Sequence, residues 1–220
     1  LYYNEQLSRL PEEIGNLSSL IKLTIAFSAY DSLPPSIGQL KNLQELDLES
    51  ITSLPEEIGN LSSLIKLYMA KSGIRSLPPS IGQLKNLEDF DLFETDHLSS
   101  LPKEIGNLSS LIIFNVGKSG IRSLPSSIGQ LQNIEQLHLF GMKHLSSLPE
   151  EIGDIGSVTR LSLAGSNITS LPSSIGHCKS LQELNLKGTH LLRELPEEIG
   201  NLSSLIKLNI DFSVIRSLPP

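Results

Sequence analysis

LPEEIGNLSSLIKL occupies residues 10–23, and the same fourteen letters return unchanged at 54–67 and at 195–208. A catalytic pocket needs several different groups converging on one point, whereas a phrase copied along a chain makes an extended surface. Working outward from this phrase, Leu-Pro pairs place prolines at 11, 34, 55, 78, 102, 125, 149, 172, 196 and 219, with separations of 21–24 residues. Between them runs L-P-x-x-I-G-x-L-x-x-L-x-x-L-x-L, then a variable turn. No single repeat can bury that many apolar residues, so the copies must stack into a solenoid.

The phrase resembles that of leucine-rich repeat arrays, and in particular the intracellular arrays of plant immune receptors, Ras-group leucine-rich repeat scaffolds and bacterial leucine-rich proteins. The resemblance covers essentially all 220 residues. It implies an α/β fold: a curved horseshoe with a parallel β-sheet on its concave face and short helices, 3-10 turns and loops on its convex face. The reading is a single array over residues 1–220 of about nine repeats of 21–24 residues, uncapped at both ends and expected to be part of a longer protein with flanking domains. From Pro55 onward alternate prolines lie 47 residues apart, because EEIGNLSSL-type repeats alternate with PSIGQLKNL- or SSIGHCKSL-type repeats. The encoded unit is a pair.

Within each repeat, L-x-x-L-x-L alternates as a half-buried strand does: Leu23 and Ile25 face the core while Lys22 and Thr24 face solvent. Proline followed by acids, as in Pro55-Glu56-Glu57, suits the first turn of a short helix, and its glutamates read as complements to the helix dipole. Gly59 soon after predicts that this helix is short or irregular. Where such repeats usually carry asparagine stand Ser28, Ser72, Thr95, Ser119, Ser166, Thr189 and Ser213, so a hydroxyl ladder is expected in place of an amide ladder. The short second repeat and Met142 are the expected points of irregularity.

The net charge of −7 disfavours nucleic acid, which wants a basic stripe, and disfavours a membrane surface for the same reason. No apolar run reaches the length of a membrane span. The one cysteine, Cys178, takes a leucine position and reads as a small buried apolar residue. His97 and His144 fall two repeats apart in the same phase, about 10 Å from each other and too far to share a zinc. No cofactor, metal or catalytic residue is expected, and the chain is read as having no enzymatic activity. Five sequons, at Asn16, Asn60, Asn107, Asn167 and Asn201, would be acceptors in a secretory protein, but the lone cysteine argues against disulfide caps and for a cytoplasmic location.

The solvent-facing position of successive strands reads Lys22, Glu45, Lys66, Asp89, Ile113, Gln136, Arg160, Glu183, Lys207. Opposite charges side by side in a parallel sheet predict a ladder that favours this register, broken at Ile113 and Gln136. Around the break lie Tyr68, Asp91, Phe93, Ile112, Asn115, His138 and Phe140. Rings and apolar groups ringed by charge are the composition of a binding hot spot. The candidate partner-binding residues are therefore Tyr68, Asp91, Phe93, Ile113, Asn115, His138, Phe140 and Arg160, facing a protein or peptide from the concave sheet. Ile21, Ile65, Ile112 and Ile206 form a second, broken apolar stripe.

The expected function is a protein-interaction module: a recognition or scaffold element in intracellular signalling or immune sensing. Two alternatives remain open from the sequence. One is a secreted or cell-surface adhesion or receptor array; the other is the substrate-recognition region of a larger enzyme.

Overall fold

The computed structural model describes residues 10–25, 31–49 and 51–218. Nine strands run in chain order: β1 Lys22–Ile25, β2 Glu45–Leu48, β3 Lys66–Tyr68, β4 Asp89–Asp91, β5 Ile113–Asn115, β6 Gln136–His138, β7 Arg160–Ser162, β8 Glu183–Asn185 and β9 Lys207–Asn209. They form one open parallel sheet with spatial order identical to chain order. The structure is a curved solenoid, as the repeat predicts. Every strand pairs with its neighbour in the register read from the sequence, so Lys22, Glu45, Lys66, Asp89, Ile113, Gln136, Arg160, Glu183 and Lys207 lie in one row.

The core is a single apolar column. Leu46, Leu67, Phe90, Phe114 and Leu137, one from each successive strand, are fully buried, and the Phe90 and Phe114 rings stack at 5.5 Å between centroids. Cys178 is buried in the same column, where burial pushes its thiol up to about 11.

On the opposite side each described repeat makes a five-residue 3-10 turn, from Glu12–Asn16 to Glu197–Asn201. Proline precedes each turn at an extended backbone angle, as at Pro55, where φ is −74° and ψ 156°. The glycine that follows serves close stacking: a Cβ added to Gly59 would stand 2.5 Å from the Ser80 carbonyl oxygen of the next repeat. The Ile-Gly pair is thus a repeat-to-repeat contact as well as a sign of a short helix.

Three expectations change. The hydroxyls do not form a ladder: Thr95, Ser166 and Thr189 donate at 2.6–2.8 Å to the carbonyl three residues back in their own repeat. A carbonyl three residues back in the same turn lies within direct reach of these hydroxyls, whereas the hydroxyl of the next repeat stands a full strand spacing of roughly 4.8 Å away. Ser28 lies outside the described residues. Met142 causes no irregularity; it is fully buried, and its sulfur accepts from the Ser119 hydroxyl at 3.4 Å. The leading glutamates reach beyond their own turn, since Glu12, Glu56 and Glu150 each accept a backbone N–H of the following repeat.

Candidate functional site

Three rows of side chains cross the concave face. The first is the charged row given above. Its ladder is only partly realised: Lys22 meets Glu45 at 2.5 Å and Arg160 meets Glu183 at 3.8 Å. Asp89 instead accepts a hydrogen bond from the Tyr68 hydroxyl at 2.9 Å, and no ion pair among the described residues joins it to Lys66. A phenol one row over reaches the carboxylate that register alone would give to lysine. Burial and this bond raise the Tyr68 pKa, so the hydroxyl remains a donor.

The second row holds Thr24, Asp47, Tyr68, Asp91, Asn115, His138, Ser162, Asn185 and Asn209. Asp91 Oδ1 accepts from the Phe93 amide at 2.8 Å, and Asn115 Oδ1 from the Gly117 amide at 3.1 Å. These bonds across two residues are Asx turns, which bend the chain out of the strand. Asp91 and Asn115 thus set the backbone on which the third row stands. Burial raises the Asp91 carboxyl, the Phe93 amide opposes it and Asp89 adds to it. Burial lowers His138, against the pull of Asp91.

The third row lies just past the strands. The Glu94 amide bonds the Gly117 carbonyl at 2.9 Å and the Lys118 amide bonds the Phe140 carbonyl at 2.8 Å, which aligns Phe93, Gly117 and Phe140 side by side. Two strand spacings would hold the rings about 10 Å apart. Their centroids are 5.5 Å apart, tilted by 35°. Gly117 is the reason: a Cβ there would stand 2.7 Å from Phe140 Cε1, so only glycine lets the Phe140 ring lie across repeat 5 and reach Phe93.

Lys118 completes the cluster. Its Nζ lies 5.1 Å from the Phe93 centroid and 2.8 Å from Glu94 Oε1. Its hydrogen bond holds the exposed Glu94 carboxyl below its ordinary range. Both side chains also line a polar cleft of about 640 Å3 with Lys71, Asp96, Lys143 and His144.

The structure therefore brings Tyr68, Asp91, Phe93, Ile113, Asn115, His138 and Phe140 onto one continuous stretch of sheet, while Arg160 turns toward Glu183. Gly117, Lys118 and Glu94 were missed by sequence reasoning. The available signal for Gly117 was its phase, a glycine exactly between two phenylalanines of equivalent position. Of the isoleucine stripe, Ile65 and Ile112 are half-buried, whereas Ile21 and Ile206 are exposed. Among the described residues no three His, Cys, Asp or Glu side chains gather as metal ligands, and no helix is long and apolar enough to cross a membrane.

Repeat, register and sheet define a leucine-rich repeat solenoid. A leucine-rich repeat region model matches residues 2–71, and a leucine-rich repeat model matches 180–202. TMV resistance protein N of Nicotiana glutinosa is 58% identical over 40 residues, 18% of this chain and 4% of that protein. The leucine-rich repeat domain of the type III effector XopL is similar in structure, with a TM-score of 0.85 at 27% identity over 94% of this chain and 74% of that one. A TDR receptor is similar with a TM-score of 0.71 at 25% identity, over 93% of this chain and 37% of the receptor chain. The chain is a leucine-rich repeat protein, and it resembles plant immune receptors. Such domains are generally non-enzymatic modules for protein–protein interaction.

Proposed function

We propose that this chain is the recognition element of a larger intracellular signalling or immune-sensing protein, and that it holds a protein or peptide against its concave sheet. The observation that carries the reading is the Phe93 and Phe140 pair. Two large, half-exposed rings pack on each other, with Lys118 beside Phe93 and Gly117 beneath Phe140, on a face whose neighbouring positions are charged or polar. Water covers such a platform poorly, and aromatic groups ringed by polar ones are where binding energy concentrates. The likeness to TMV resistance protein N supports the immune side of the reading, and the single cysteine supports the cytoplasm.

The test is proximity labelling with the full-length protein, comparing wild type with a Phe93→Ala, Ile113→Ala, Phe140→Ala variant whose fold is checked by circular dichroism. Loss of a discrete set of partners is expected. An unchanged set in a folded variant would end the concave-face reading.

A receptor or adhesion role outside the cell is the second reading, favoured by the exposure of Asn16, Asn60, Asn107 and Asn201. Mobility shifts on glycosidase treatment of the native protein would select it.

A further inference from the structure

The part of the concave face that precedes the ring pair is acidic. Glu45, Asp47 and Glu49 stand on and just after β2, and Asp89 and Asp91 on β4, all half-buried. Lys22 is engaged with Glu45, and Lys66 stands between the two strands. Two lysines thus accompany five carboxylates. On β5 to β7 the outward positions are Ile113, Asn115, Gln136, His138, Arg160 and Ser162, without a carboxylate. The face therefore changes along its length from acidic to aromatic and neutral.

The carboxylates crowd one another. Burial, then Glu49 and Glu45, push Asp47 up, and Asp89 adds to the effect of burial at Asp91. A cation supplied from outside would relieve both. Individual exposed ion pairs contribute little to affinity, but a patch of one sign selects the sign of its partner and speeds encounter.

We infer that the partner of this face is an extended basic peptide segment. Its lysine or arginine side chains enter between β2 and β4, and an apolar side chain further along rests on the Phe93 and Phe140 rings. From β2 to β5 is about 14 Å, three strand spacings, which about four residues of extended chain would cover. The inference rests on the concave-face reading above and adds the chemistry of the partner.

The test uses fluorescence anisotropy with a labelled nonapeptide carrying two arginines and, four residues on, a leucine. Its counterpart has glutamates in place of the arginines. The basic peptide should bind at least about tenfold more tightly, and raising salt toward 0.5 M should weaken it several-fold. Asp47→Asn with Asp91→Asn should cost about tenfold, as should Phe93→Ala with Phe140→Ala. Glu13→Gln with Glu194→Gln removes the same net charge from exposed turns and should cost nothing. All variants are checked by circular dichroism.

A basic peptide no tighter than the acidic one overturns the inference. So does a loss confined to the ring variants, which would leave the concave face as a binding surface blind to charge. Binding that survives both sets of concave substitutions sinks the inference and the concave-face reading together.

Discussion

The Glu12 carboxylate accepts a hydrogen bond from the backbone amide of Ser36, in the next repeat, at 3.2 Å. Glu56 does the same for Ser80 at 3.4 Å and Glu150 for Ser174 at 3.3 Å. The 3-10 turns that receive these bonds have no side-chain cap of their own. This gives the pairwise beat of the sequence a physical meaning: a repeat beginning with glutamate caps the turn of the repeat beginning with proline or serine. At the equivalent place before Ser127 the chain has Lys103.

Lys103→Glu should therefore install the missing cap. The expected gain is about 0.5–1 kcal/mol, the usual worth of a capping hydrogen bond, read as a higher urea midpoint. Glu56→Ala should lower the midpoint by a similar amount. An unchanged midpoint in both would show that the inter-repeat bonds are incidental to stability.

Gly117→Ala should separate the ring pair without unfolding the array. Gly117 is not in the left-handed region, so alanine suits its backbone, but the new methyl occupies the space of Phe140 Cε1. Aromatic contacts of this kind contribute about 0.5–1.5 kcal/mol. The near-ultraviolet circular dichroism of the phenylalanines should change, with the far-ultraviolet spectrum retained. Preservation of the near-ultraviolet signal would mean that the pair tolerates the methyl.

The pH dependence has a definite sign. In the folded chain Asp47 and Asp91 titrate above the ordinary value of 3.8. The folded state then holds their protons more tightly than the unfolded state, so their contribution is fully stabilising below the ordinary value and is lost as pH rises through the raised ones. Asp47→Asn and Asp91→Asn should gain stability relative to wild type between about pH 4 and 7. A series of urea midpoints at stepped pH checks this, and a difference independent of pH would contradict it. Glu94, whose carboxyl is lowered, contributes in the opposite sense, present above its ordinary value and lost as pH falls.

Two glycines with nothing near their missing Cβ separate backbone from packing. Gly165 has φ +66° and Gly156 is not in the left-handed region. Gly165→Ala should cost about 1 kcal/mol, the penalty of a left-handed alanine, while Gly156→Ala should stabilise by up to about 1 kcal/mol through the unfolded chain. Lys71, Glu94, Lys118 and Phe212 already carry positive φ, at 53–58°, at the positions equivalent to Gly165. Equal effects at the two glycines, measured by thermal melting, would rule this account out.

Period, strand register and the alternation of core and solvent residues were legible in the sequence because stacking leaves one solution for a repeat of this length. Leu-x-x-Leu-x-Leu can bury its leucines in only one phase, and identical repeats must then align identical positions. The pattern alone places Lys22, Glu45 and Lys66 in one row and gathers Phe93, Ile113 and Phe140 on one face. What pattern could not decide was which neighbour each side chain would choose. Tyr68 takes Asp89 from Lys66, the hydroxyls of Thr95, Ser166 and Thr189 close on their own turns while that of Ser119 crosses to Met142, glutamates cross to the next repeat, and Phe140 lies over Gly117. Each choice depends on side-chain reach and free space across repeats, quantities that exist only once the repeats are stacked.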